Sequence, residues 1–152
     1  MIGYRICNKD YEDDTSGYGA KLYGGRWNSP GLPMLYLGQH VSLCALELLV
    51  HIKQSDKTTP FSLLYINIPD KLSTISLNIA KLKKNWENDV TYSQFMGDEF
   101  IKEKNALILQ VPSVLVPEEF NYLLNPLHPD MKKVKIIKTT RFHFDKRLFS
   151  FT

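Results

Sequence analysis

The sequence predicts a single α+β domain, in which strands and a few helices follow one another in irregular order around one core. Three observations lead there. Apolar runs of strand length recur at residues 4–7, 34–37, 61–68 and 106–111, each stopped by a polar residue, a glycine or a proline. Two longer stretches, 42 to about 53 and 91 to 104, carry helical patterns instead. The two kinds of element do not alternate regularly, which argues against a doubly wound sheet. A chain of 152 residues can close a sizeable core, and no linker, repeat or low-complexity tract divides it, so residues 1–152 read as one domain.

In chain order, residues 4–7 (Tyr-Arg-Ile-Cys) form the first strand. Residues 8–23 are polar and glycine-rich and read as a long loop, a length that is uncommon in compact domains unless the loop is functional. A cover over a cleft and a plain surface loop both fit it. Gly24 and Gly25 open a turn carrying Arg26 and Trp27, and Pro30-Gly31 breaks the chain before the strand at 34–37. Ser42 offers an N-cap for an almost wholly apolar helix. A polar connection at 54–60 leads to the strand at 61–68; residues 70–88 mix turn signals with short apolar pieces and receive no assignment. In the second helix, Tyr92, Phe95, Met96, Phe100 and Ile101 recur at i, i+3, i+4 spacing and read as a core stripe. The strand at 106–111 ends at Pro112, and 118–124 reads as a helical turn broken by Asn125-Pro126. Two short strands, 132–138 and 140–144, are expected to pair around Thr139.

Composition narrows the function classes. At 43% hydrophobic and 23% charged, the chain has an ordinary globular balance. No run approaches the roughly 18 apolar residues of a membrane helix, and the opening MIGYRICNKD lacks an apolar leader core. Cys7 and Cys44 sit in apolar runs and make no disulfide framework, so a reducing cytoplasm is the expected home. The net charge of +3 is partly concentrated in KKVKIIK at 132–138, which reads as a solvated strand face rather than a nucleic-acid motif. Four histidines and two cysteines show no metal-ligand spacing, and no dinucleotide or P-loop glycine pattern occurs. Ser113, between Pro112 and Val114, lacks a nucleophile elbow.

One residue breaks the apolar helix: Glu47, in LCALELLV. At 100° per residue it shares a face with Cys44, His51 and Gln54. A buried, unpaired carboxylate costs several kcal/mol, so Glu47 must meet a partner such as His51 or an arginine, be protonated, or line a cleft. Arg26, Tyr36 and Glu47 lie ten and eleven residues apart on a turn, a strand and a helix, a unit able to bring three groups round one cavity.

Gly25-Arg26-Trp27-Asn28, Gly31, Tyr36, Ala45-Leu46-Glu47 and Val50-His51 together resemble the RES domain, the toxin of RES-Xre toxin–antitoxin pairs. The resemblance continues through Pro112-Ser113, Val116-Pro117 and the run from Asn121 to Pro129 (NYLLNPLHP), with Tyr4-Arg5 at the start and Arg147-Leu148-Phe149 at the end. It covers nearly the whole chain; residues 53–105 match in general character only. The family implies a fold like that of ADP-ribosyltransferases, with a split, twisted β-core and surrounding helices around an NAD cleft. It implies an enzyme that degrades NAD by hydrolysis or phosphorolysis, and an Xre-type antitoxin as partner. Carried over by position, Arg26, Tyr36 and Glu47 match the catalytic cluster. Arg5, Trp27 and Ser113 become substrate contacts, and Asn125 and His128 support for the cleft.

The chemistry suits those residue types. NAD is a positively charged N-glycoside whose nicotinamide leaves readily, so the reaction needs no strong acid. It needs help for an oxocarbenium-like ribose, which a nearby carboxylate supplies through charge and by accepting a ribose hydroxyl. An arginine can bind phosphate oxygens bidentately, and a tyrosine ring can stack on nicotinamide. NAD is thus the expected substrate and no resident cofactor or metal is expected. Inorganic phosphate is a candidate co-substrate, and any contact with nucleic acid would run through the antitoxin. A homodimer stays open. Two other classes do as well: an ADP-ribosyltransferase acting on a protein or nucleic acid, and a non-catalytic binding module.

Overall fold

In a computed structural model that describes residues 1–149, seven strands form one sheet in the order β4-β5-β6-β2-β1-β3-β7. The strands are β1 (Ile2–Asn8), β2 (Leu35–Gly38), β3 (Phe61–Asn67), β4 (Thr74–Ser76), β5 (Ile108–Pro112), β6 (Phe120–Leu124) and β7 (Lys135–Phe142). Three α-helices accompany them: α1 (Tyr18–Tyr23), α2 (Val41–Leu49) and α3 (Val90–Glu103). Only β4 and β5 run parallel; the other neighbours are antiparallel. Among the described residues no helix is long and apolar enough to cross a membrane.

The pairing along the sheet is uneven. β1 pairs with β3 at seven positions, from Ile2 opposite Asn67 to Asn8 opposite Phe61. It meets β2 only where Tyr4 stands opposite Gly38. On its other side β2 keeps four pairs with β6, and Gln39 prolongs that edge by exchanging bonds with Phe120. Two half-sheets therefore join at one seam. The α+β expectation holds, for one continuous sheet that is thinly paired between β1 and β2.

Side-chain alternation sorts the core into layers. Leu35, Leu37, Leu64, Ile66, Ile108 and Leu124 fill one face. On the other, α3 sets Phe100 and Ile101 against Leu109, Val111 and Leu123. There Trp27 and Trp86 pack with ring centroids 5.6 Å apart. Cys44 of α2 joins Ile6, Phe61 and Leu63 in a third cluster. β3 is buried at Phe61, Ser62, Leu63, Leu64 and Ile66, on both its faces, with β1 and β7 flanking it.

Several expectations change. Residues 8–23 are not a structureless loop: a 3-10 turn at Lys9–Tyr11 precedes α1, which lies between Gly17 (φ 70°) and Gly24 (φ 72°). Both glycines occupy the left-handed region, which lets so short a helix start and stop. α2 begins at Val41 after His40, so Ser42 is not its cap, and it ends at Leu49 rather than near Lys53. Leu46 and Val50 are exposed even though the helix is apolar almost all round.

In α3 the buried positions are Ser93, Gly97, Phe100 and Ile101, which turns Phe95 outward to 62% exposure. The small residues, not the aromatic stripe alone, mark the face that meets the sheet. Residues 118–124 hold strand β6, since β2 and β5 bond it on both sides and override the local helical pattern. Finally, 132–138 and 140–144 are not a hairpin. Residues 129–133 form a 3-10 turn, and one strand, β7, runs through Thr139 along β3. A register shift between Tyr65 and Ile66 leaves Ile137 as the extra residue, a bulge on the edge strand.

Candidate active site

At the seam the sheet opens into a cleft of about 730 Å³. Tyr4, Arg5 and Ile6 of β1, Tyr36 and Gly38 of β2 and Asn121 of β6 line it from the sheet. Cys44, Glu47 and Leu48 of α2, followed by His51, line it from one helix; Ala20 and Tyr23 of α1 and the Gly25-Arg26-Trp27 turn line it from elsewhere, with Leu115 at the 112–115 turn. The segment at 18–24 thus does border the cleft, as a helix.

Gly38 sets the approach of α2. A Cβ there would stand 2.5 Å from the Cys44 sulfur, so the glycine leaves room for that side chain against the seam. The Cys44 thiol donates to the Tyr4 carbonyl at 3.1 Å, and burial pushes its pKa up to about 12. The thiol is therefore a packing group, not a nucleophile. One turn on, Glu47 reaches over β6. Its Oε1 accepts from the Asn121 amide at 2.8 Å and the Ser113 hydroxyl at 3.0 Å. Oε2 takes no hydrogen-bond partner among the described residues. The carboxylate is half-buried and lines the cleft; its partners are a serine and an asparagine rather than His51 or an arginine.

Ser113 is itself buried. Its Oγ accepts the Leu115 and Val116 N–H groups at 3.1 and 3.2 Å, closing the turn after β5. It acts on the cleft through Glu47 and is not among the residues lining it.

The arginine turn is held by polar groups from three elements. Tyr36 Oη accepts the Trp27 N–H at 3.1 Å and donates to Asn28 Oδ1 at 2.6 Å. Burial raises the pKa of this hydroxyl, so it stays protonated and able to donate. Asn28, wholly buried, spends its amide hydrogens on the Ala20 and Leu32 carbonyls, both at 2.9 Å. Gln94 of α3 donates to the Gly25 carbonyl at 2.9 Å. A Cβ on Gly25 would lie 2.5 Å from the Tyr36 oxygen, which is why the turn needs glycine. Arg26 leaves this frame with one amino group on the Glu87 carbonyl at 2.9 Å and remains half-buried in the cleft wall. Arg5 is tied to the Asp14 carbonyl at 2.5 Å.

The structure therefore brings Arg5, Arg26, Trp27, Tyr36 and Glu47 to one cleft, with Ser113 behind Glu47. Asn125 and His128 do not join them. Asn125 is buried, bonding the Ile101 carbonyl and the Leu127 N–H; His128 accepts the Asp130 N–H at the head of a 3-10 turn. Both serve the turn after β6. Gln94 has no signal in the sequence, and Asn121 enters there only as the first residue of the 121–129 motif, with no role. Asn121 was hidden because 118–124 looked helical, and strand alternation would have put it on the face of Leu123. Among the described residues no three His, Cys, Asp or Glu side chains are grouped to hold a metal ion.

Comparison with known proteins identifies the family. A Toxin Res of Photorhabdus laumondii is 41% identical, covering 97% of each chain. A Prs ADP-ribosylating toxin of a Sphingobium species is 36% identical over 92% of this chain and 90% of its own. Among solved structures, a chain of the M. tuberculosis MbcT-MbcA toxin–antitoxin complex superposes with a TM-score of 0.76 at 20% identity, covering 94% of this chain and 84% of that one. The RES domain pattern matches residues 2–145, and with relatives this similar over nearly their full length the chain belongs to the RES domain family.

Proposed function

We propose that this chain is the toxin of a toxin–antitoxin pair and that it cleaves the nicotinamide–ribose bond of NAD, with water or inorganic phosphate as acceptor. The observation that carries the reading is the Glu47 carboxylate, fixed by two donors on Oε1 while Oε2 is left to the cleft. As the C1′–N bond breaks, its electrons leave with nicotinamide and quench the positive charge of that ring. The charge left on the ribose is met by Glu47, which also accepts a ribose hydroxyl. Arg26, with Arg5 in the same cleft lining, would hold the pyrophosphate, and the Tyr36 ring would face the nicotinamide.

The toxin names of the relatives support the class, and the toxin–antitoxin complex of the structural neighbour supports an antitoxin partner; in this reading that partner is of Xre type and covers the cleft. In this reading the protein works in the cytoplasm, where it would deplete NAD and arrest growth. A second reading is favoured by the relative named an ADP-ribosylating toxin: the same cleft would pass ADP-ribose to a macromolecule. Incubation with NAD labelled in the ADP-ribose part, with and without phosphate, separates them. Free ADP-ribose or its 1″-phosphate supports degradation; label on protein or nucleic acid supports transfer. No release of nicotinamide in any condition would reject both.

A further inference from the structure

We propose that Asn121 is a positioning residue for the reaction, fixing the orientation of the Glu47 carboxylate so that its second oxygen is held toward the substrate. This role rests on the reading of the cleft as an NAD-cleaving site. Asn121 stands on β6 opposite Gly38 of β2 and Val111 of β5, and Gly38 in turn stands opposite Tyr4 across the seam. The same Gly38 admits α2 to the sheet through its contact with Cys44. Glu47, three residues beyond Cys44 on the same helix face, is thereby brought to the neighbour of Gly38, which is Asn121.

The amide of Asn121 and the hydroxyl of Ser113 both donate to Oε1, at 2.8 and 3.0 Å. Two donors on one oxygen stop the carboxylate from rotating and leave Oε2 with its lone pairs unspent. Ser113 supplies one fixed donor, since its oxygen accepts two backbone N–H groups and keeps its single hydrogen for Glu47, and Asn121 supplies the second donor that resists rotation about the first. An amide suits the second position: it donates without adding charge and, unlike lysine or arginine, does not neutralise the carboxylate that must meet a developing cation.

The test compares the parent with Asn121→Ala and Asn121→Asp, measuring nicotinamide release near pH 8, a readout shared by hydrolysis, phosphorolysis and transfer. Loss of the donor should lower kcat by roughly 10- to 100-fold while KM changes less than about threefold, since only alignment in the transition state is lost. Asn121→Asp keeps the shape but has no donor and sets a like charge beside Glu47, so it should be at least as impaired as Asn121→Ala. A side chain that merely packs would be rescued by Asp and would show its loss in melting temperature instead. Turnover in either variant within about twofold of the parent overturns the role while leaving the NAD reading intact. A parent that releases no nicotinamide overturns both.

Discussion

A Cβ on Gly97 would stand 1.6 Å from the carbonyl oxygen of Trp27, so α3 and the arginine turn are in backbone contact at that point. Neither partner is a flexible side chain, and Gln94 and Asp98 of the same helix bond the turn on either side, the latter through Ser29 at 2.8 Å. Gly97→Ala is therefore expected to destabilise the protein by about 3 kcal/mol, at the upper end of overpacking costs. The shift in denaturant midpoint measures it. A midpoint unchanged from the parent would mean that the helix can slide.

Tyr36 combines two separable roles. Tyr36→Phe keeps the ring but leaves the buried Asn28 Oδ1 and the Trp27 N–H without their partner, which should cost about 1–3 kcal/mol. Part of the nicotinamide release should survive, because the face offered to the substrate is retained. Tyr36→Ala removes both and should abolish it. Equal activity losses in folded Phe and Ala variants would assign the whole effect to the hydroxyl.

Glu47→Gln keeps the size of the side chain and removes its charge. The fold should survive, with an unchanged melting profile to within a few degrees. Nicotinamide release should fall by roughly 10²- to 10³-fold, the usual cost of losing one electrostatic stabiliser. Cleavage of NAD within a few-fold of the parent by the folded variant would remove Glu47 from the chemistry.

Arg26→Ala should act differently, raising KM more than it lowers kcat, since contacts to phosphates are made in ground and transition states alike. Steady-state kinetics over a range of NAD concentrations distinguishes the two patterns. A drop confined to kcat would move Arg26 from binding to the reacting centre.

The acid limb of stability has a contributor in Asp89. Its carboxyl lies below the usual range because the Lys83 ammonium, at 2.6 Å, and the Tyr92 N–H, at 3.0 Å, both bond it as the cap of α3. A depressed pKa in the folded state means a contribution that is complete above the ordinary carboxylate value of about 4 and is lost as pH falls through the folded one. Parent and Asp89→Ala should thus differ in melting temperature at neutral pH and converge in acid. A difference that stays constant down to the acid limit would assign the effect to something other than this charge.

Local pattern by itself determined the class of the domain, the strands β1, β2, β3 and β5, the body of α3 and the oddity of one carboxylate in an apolar helix. Each rests on interactions within a few residues: alternation or continuity of apolar side chains, and glycine or proline stops. Family motifs added Arg26, Tyr36 and Glu47 as a set. What only the tertiary structure decided depends on partners far away in the chain. β6 is a strand because β2 and β5 bond it from both sides, although its own residues also suit a helical turn. β7 is continuous because β3 pairs with it from end to end, with Ile137 bulged out of the register. Phe95 faces outward because Gly97, four residues on from Ser93, is the position that can touch the Trp27 backbone. Asn125 and His128 looked like site residues, yet they bond the turn after β6. Asn121 came to matter because Gly38 lets α2 descend onto the seam, and no spacing along the chain records that a residue 74 positions away will meet Glu47 there.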